Sequence, residues 1–257
     1  MGRDLTVKTR ELMALPFFLL SAFFFSVSPA SRLYAQIELG GYLGKGVTVS
    51  SDLHIVQPSQ GTDVMFYDVH YEDRSFQFPL YYGLRLGYFL PGINFIGIET
   101  EFIHLKVYSN PNESVSVSGR WQNAPVAGMV RLGDRLQEFS ISHGLNLQLL
   151  NLLMRYGFPK DAHGLQKRIH AVARIGVGAV IPHTESTIEQ QHQEQYELRG
   201  PAFQASAAGD VKLVGELAWF LECKYTVARV QNAGVPSGRL STTLQSLHVV
   251  SGFAIQF

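Results

Sequence analysis

From Phe76 to Tyr88 the chain alternates without interruption. Phe76, Phe78, Leu80, Tyr82, Leu84, Leu86 and Tyr88 fall on one face, and Gln77, Pro79, Tyr81, Gly83, Arg85 and Gly87 on the other. A period of two is the period of a β-strand, because successive side chains point to opposite sides. One face here is apolar and aromatic, the other small or polar. That is the dyad repeat of a strand with hydrocarbon on one side. A spanning strand needs only ~9–11 residues, and this segment is longer.

The same alternation returns along the chain. Phe139, Ile141, Leu145, Leu147 and Leu149 oppose Ser140, Ser142, Asn146 and Gln148. Ile169, Ala171, Ala173, Ile175, Val177 and Ala179 oppose His170, Arg174, Gly176 and Gly178. Leu217, Trp219, Leu221, Cys223, Tyr225 and Val227 oppose Phe220, Glu222, Lys224 and Thr226. The final strand sets Leu247, Val249, Phe253, Ile255 and Phe257 against His248, Gly252 and Gln256. Weaker strands lie near Ile37–Val49, Phe95–Tyr108 and Ala202–Val214, giving eight in all. In the second of these the apolar face switches, which predicts a β-bulge near Ile103 or a misplaced boundary.

The connections run long, short, long, moderate, long, short, moderate. They span residues 50–75, 91–94, 109–137, 156–167, 182–200, 213–215 and 231–239. Outer-membrane barrels have short periplasmic turns and longer external loops. With the first strand running outward, every long connection falls outside. An open sheet edge in lipid leaves backbone groups without partners, and eight strands suffice to close a barrel. The expected fold is therefore all-β: an eight-stranded antiparallel transmembrane β-barrel over residues 36–257. The chain ends on Phe257, the aromatic terminus usual in outer-membrane barrels.

The beginning of the chain fits export. Arg3, Lys8 and Arg10 precede an apolar run from Met13 to Val27, followed by the small residues Ser28, Ala30 and Ala35. That order predicts a signal peptide over residues 1–35, cleaved after Ala30 or Ala35. The alternative is a retained anchor, for which the apolar run is short. Charged residues are only 16% of the chain and aromatic residues 12%. The 21 Lys and Arg balance the 21 Asp and Glu, so there is no basic field for nucleic acid. One cysteine, Cys223, excludes an intrachain disulfide.

The polar faces turn Arg85, Glu99, Glu101, Lys106, Arg174, Glu222 and Lys224 into the expected interior. A narrow barrel fills its lumen with paired charges, so structural pairing is the first reading of these residues. Other polar residues gather toward the outer rim: His104, Lys106 and Tyr108; Ser142, His143 and Asn146; His183 and Glu185; Lys224 and Tyr225. His248 is expected midway along the final strand. Imidazole and carboxylate can bind a divalent metal or transfer protons, and lysine can hold a phosphate. Residues 189–195 read as a solvated loop. No Gly-rich phosphate loop, nucleophile elbow or zinc-protease motif is present.

At these rim segments the sequence resembles the lipid A oxidase family of outer-membrane barrels. The resemblance is carried by residues 101–108 (Glu-Phe-Ile-His-Leu-Lys-Val-Tyr), 142–147 (Ser-His-Gly-Leu-Asn-Leu), 180–185 (Val-Ile-Pro-His-Thr-Glu), 222–225 (Glu-Cys-Lys-Tyr) and 80–85 (Leu-Tyr-Tyr-Gly-Leu-Arg). It implies oxidation of the proximal glucosamine of lipid A to aminogluconate, with molecular oxygen as co-substrate and a divalent metal or other redox aid. It also implies lipopolysaccharide of the outer leaflet as partner, and we expect a monomer. By the resemblance, His104, His143, His183 and Glu185 are catalytic, with His183 and Glu185 in metal or base roles. Lys106, Asn146, Glu222 and Lys224 bind substrate, the lysines toward phosphate or charge balance. The sequence departs from the family at His143, where an acidic residue is expected before Gly-Leu-Asn, and at Cys223, where an aromatic is usual.

A lipid A oxidase of the outer membrane is thus the leading expectation. The alternative is a non-enzymatic small barrel serving integrity, adhesion or small-molecule passage. An acyl hydrolase built on Ser142 and a rim histidine is a third.

Overall fold

The structure is a computed structural model that describes residues 36–157 and 168–257. The expected signal peptide and residues 158–167 of the fourth connection lie outside the described residues. The strands, in chain order, are β1 (Gln36–Thr48), β2 (Ser51–Gln57), β3 (Thr62–Val69), β4 (Tyr71–Glu72), β5 (Tyr82–Phe89), β6 (Ile96–Ser109) and β7 (Ser114–Trp121). There follow β8 (Ala124–Arg131), β9 (Glu138–Gly157), β10 (Ile169–Ile188), β11 (Gln191–Tyr196), β12 (Gly200–Val214), β13 (Leu217–Val235) and β14 (Gly238–Gln256).

Eight of these, β1, β5, β6, β9, β10, β12, β13 and β14, pair in that order, and β14 returns to β1. Every pairing is antiparallel. The ring is the expected eight-stranded barrel, and closure leaves no edge within it. Leu39, Leu43, Leu84, Leu86, Ile98, Leu150, Leu152, Ile175, Val177, Leu221, Leu247, Val249 and Phe253 all lie exposed on its outer surface. Such a belt costs roughly 25 cal/mol per Å² in water and nothing in hydrocarbon. The barrel is built to span a membrane.

Inside, the lower half is polar, and most of its charges pair across strands. Glu222 accepts from Arg85 at 2.8 Å and lies 3.2 Å from the Lys224 ammonium and 3.5 Å from Arg174. Arg174 reaches Glu99 at 3.1 Å, and Asn151 donates to both Glu99 and Glu101 at 2.9 Å. Lys224 also pairs with Glu101. A buried charge persists only when its partners replace water, so this network is the lumen filling anticipated from sequence.

The upper half of the interior is apolar instead. Ile103, Leu105, Phe139, Ile141, Leu145 and Leu147 form one cluster with Leu53, Ile55, Val64, Phe66, Val115 and Val117. The last six belong to a second sheet, β2–β3–β7–β8, which leaves the ring where Leu53–Val56 pair with Arg239–Thr242 of β14. The long external connections therefore contain a sheet that caps the mouth with a dry core.

This arrangement corrects four expectations. Phe139, Ile141, Leu145, Leu147 and Leu149 face inward, not lipid, because that half of β9 rises into the capped lobe, where the core lies inside. The alternation over residues 76–88 yields a strand only from Tyr82, with Phe76 and Phe78 left exposed. Pro79 cannot donate to a ladder, which stops the strand short. β6 has no bulge at Ile103, where its pairing with β5 runs unbroken from Gly97 to His104; the irregularity lies in β9, which sets three residues against one between Leu105 and Val107. Residues 189–195 are a β-turn and strand β11, paired with the outer end of β10, rather than a free loop.

Candidate functional site

The wall formed by β6, β9 and β10 carries an inverted pattern at its outer end. Leu43, Tyr82, His104, Asn146 and Ile181 pair successively across β1, β5, β6, β9 and β10 and share the outer face. On this wall the apolar belt ends at Phe102, Leu150 and Val177. Above it the outward side chains are polar apart from Ile181, and their apolar neighbours Leu105, Leu145 and Leu147 turn inward.

The backbone explains how so many polar groups converge. Leu145 of β9 pairs with Leu105 and Ile141 pairs with Val107, so Ser142, His143 and Gly144 stand opposite Lys106 alone. The same bulge appears against β10, where pairing jumps from Pro182 to Glu185. A bulge of this kind re-aims side chains. Gly144 holds φ +123°, and a Cβ there would meet Asn146 Oδ1 at 2.6 Å. Only glycine lets the main chain pass so close.

Two groups of side chains result. In the first, His104 is stacked on Tyr82 with ring centroids 5.0 Å apart, and its Nδ1 lies 2.9 Å from Asn146 Oδ1. Asn146 in turn donates to the Ile181 carbonyl at 3.2 Å and to the Tyr196 hydroxyl at 2.9 Å. In the second, His143 Nδ1 lies 2.9 Å and His183 Nδ1 3.4 Å from Glu185 Oε1. The two imidazoles meet edge to face at 4.9 Å. Ser142 donates to Glu185 and lies 2.8 Å from His143 Nδ1. Glu185 stands well beyond the belt. Burial alone would raise its carboxyl, but hydrogen bonds from Ser142 and His143 and the fields of both imidazoles outweigh it. The group is held below its ordinary value.

The ligand atoms of His143, His183 and Glu185 all lie within 4.8 Å of one another. Two imidazoles and one carboxylate are the donor set of mononuclear non-haem iron centres, so these residues fit a divalent transition metal. Beside them stand two cations, of which Arg74 is ion-paired with Glu72 at 3.2 Å. Lys106 donates to the Gln77 carbonyl at 2.7 Å, and the Arg74 guanidinium lies 3.9 Å over the Tyr108 ring.

Of the residues singled out by sequence, His104, Lys106, His143, Asn146, His183 and Glu185 thus share one outward patch. Glu222 and Lys224 do not join it. Their side chains are wholly buried in the lumen, so a lipid outside cannot reach them. The placement of Lys224 near the outer rim is corrected: it pairs across β14 with His248, which lies deep in the interior. Tyr82, Tyr196, Arg74 and Gly144 went unmarked in the sequence. Tyr196 reaches the patch only because β11 folds back, pairing it with His183.

No protein-family model matches the chain. No curated protein matches it either. Among solved structures, it is similar to Neisserial surface protein A, with 7% identity over 87% of this chain and 97% of that one, at a TM-score of 0.40. It is also similar to outer membrane protein AlkL in lipid bilayers, with 11% identity over 91% and 95% and a TM-score of 0.43. A further similarity is to Ail of Yersinia pestis, crystallised with the heparin analogue sucrose octasulfate, with 7% identity over 86% and 99% and a TM-score of 0.37. At these scores the barrel assignment rests on the strand pairings themselves.

Proposed function

We propose that this outer-membrane barrel modifies lipid A, and that it does so by oxygen-dependent oxidation of the proximal glucosamine to aminogluconate. The observation that carries the reading is the cluster of His143, His183 and Glu185 on the outward face, above the apolar belt. A soluble substrate needs no site on the lipid side of a wall. A lipid head group lies at that level.

The reaction removes two electrons and two protons from the anomeric C–H and O–H of the sugar and passes them to dioxygen. The products are a lactone and hydrogen peroxide, and water then opens the lactone. The acid carries one oxygen more than the sugar. A divalent metal held by His143, His183 and Glu185 would couple the sugar to dioxygen. The chain's own residues do the rest. His104 accepts the hydroxyl proton once the bound sugar displaces the side chains that cover its Nε2. Lys106 and Arg74 face the anionic head group. The belt below takes the acyl chains.

Ser142 and His143 also raise the acyl-hydrolase alternative. A nucleophile triad places serine and acid on opposite nitrogens of the histidine. Here Ser142 and Glu185 both address Nδ1, at 2.8 and 2.9 Å. That favours the oxidase. Passage through the lumen is disfavoured by the paired charges and apolar cap that fill it.

Mass spectrometry of lipid A from cells with and without the protein, grown with and without oxygen, tests the proposal. The expected result is an oxygen-dependent gain of one oxygen atom. Loss of an acyl chain would indicate the hydrolase instead. Unchanged lipid A with folded protein in the membrane would leave the non-enzymatic barrel.

A further inference from the structure

His104 is only 6% exposed, and its Nε2 has no hydrogen-bond partner among the described residues. A buried polar atom left without a partner calls for an explanation. The hydrogen-bond chain around it supplies one. The Ile181 carbonyl can only accept, so the Asn146 amide must turn its Nδ2 toward it, at 3.2 Å. That same nitrogen reaches the Tyr196 hydroxyl at 2.9 Å. The Asn146 amide is thereby fixed, with Oδ1 facing His104 Nδ1 at 2.9 Å. Oδ1 is an acceptor, so Nδ1 must carry the proton. A second proton on Nε2 would bury an unpaired cation, since the carboxylate of the patch, Glu185, pairs with His143 and His183 instead.

We infer that Asn146 is a positioning residue that locks His104 in the Nδ1–H tautomer and leaves Nε2 as a bare proton acceptor. This replaces the expectation that Asn146 binds substrate. Both ends of its amide are committed to the protein, so it acts through His104. Three neighbours serve the lock. Gly144 leaves room for the pair, with a hypothetical Cβ 2.5 Å from His104 Cε1. Tyr82 holds the ring plane by stacking, at an interplanar angle of 21°. Tyr196 anchors the far side of the amide. In a neutral imidazole the partner of one nitrogen decides which nitrogen is free, and here that partner is an asparagine. The use of Nε2 as base for the sugar hydroxyl rests on the proposed oxidation; the tautomer does not.

The test is nitrogen-15 NMR of the histidine-labelled protein, folded in detergent micelles, with His104→Gln identifying the His104 signals. The expected spectrum shows a protonated Nδ1 and a bare Nε2. Asn146→Asp keeps an acceptor at the same place and is expected to keep that tautomer. Asn146→Leu removes it and is expected to release His104 to the Nε2–H form. A wild-type His104 protonated on Nε2 overturns the inference. So does an Nδ1–H signal that survives Asn146→Leu in protein retaining its heat-modifiable gel shift. Should Asn146→Leu fail to fold, the wild-type signal decides alone. An Nδ1–H tautomer in a protein that leaves lipid A unmodified would defeat the oxidation and leave the lock standing.

Discussion

A Cβ on Gly144 would stand 2.5 Å from Nδ1 of His104, so the β9 bulge can cross that ring only as bare backbone. Gly144→Ala must therefore displace either the ring or the strand, at a φ of +123° that side chains rarely adopt. The expected cost is ~1–3 kcal/mol, the range for a strained backbone position. It is read as a lower midpoint for loss of the heat-modifiable folded form, compared with an alanine at Gly209, which has open space around it and an ordinary φ.

Metal affinity should depend on three side chains and little else in the barrel. His143→Ala, His183→Ala and Glu185→Gln are each expected to lower zinc or iron retention by at least tenfold, since each removes one ligand from a cluster of three. Metal content measured by mass spectrometry after equilibrium dialysis checks this. Equal retention in Glu185→Gln would remove the carboxylate from the site.

Glu185 sets the acid limit of its own contribution. Its carboxyl is held below the ordinary value, so the folded state binds fewer protons than the unfolded state as pH falls through that value. The stability it adds is fully present above the unfolded value of ~4.3 and is lost only below it. The difference in unfolding midpoint between wild type and Glu185→Gln is expected to be larger at about pH 5 than at about pH 3. An equal difference at the two pH values would contradict that.

In the lumen, Glu222 faces Arg85, Lys224 and Arg174 at 2.8, 3.2 and 3.5 Å. Glu222→Ala leaves those cations without their shared partner. Breaking a buried pair from one side costs about 3–5 kcal/mol, so the folded form should melt at a markedly lower temperature. Any fraction that folds should still modify lipid A, because the network lies inside the wall and the site outside.

The filled interior also predicts a closed barrel. The purified protein in planar bilayers is expected to give no stable stepwise current. Discrete conductance steps would show that the cap or the charge network opens.

Much of the ring was legible in the sequence because lipid enforces a strict period of two. Leu84, Leu86, Ile175, Val177, Leu247 and Val249 took the outward places the alternation assigns them. The errors arose where lipid stops. Leu145 and Leu147 alternate just as cleanly, but above the belt the apolar side is the inside, and the period carries no sign telling in from out. The rim histidines were legible as residue types near one level. Their convergence was not, because it depends on the Ser142–Gly144 bulge and on β11 folding Tyr196 back onto His183. Lys224 is misplaced for the opposite reason. Its alternation reads correctly, but sequence position alone overstates its height along β13, because the strand runs on to Val235.

β14 is shared: it pairs with β1 and β13 to shut the ring and with β2 to hold the external sheet. Two separate assemblies thus depend on the nineteen residues of this one strand. Without its pairings the cylinder would stay open and the external sheet would lose its attachment to the wall.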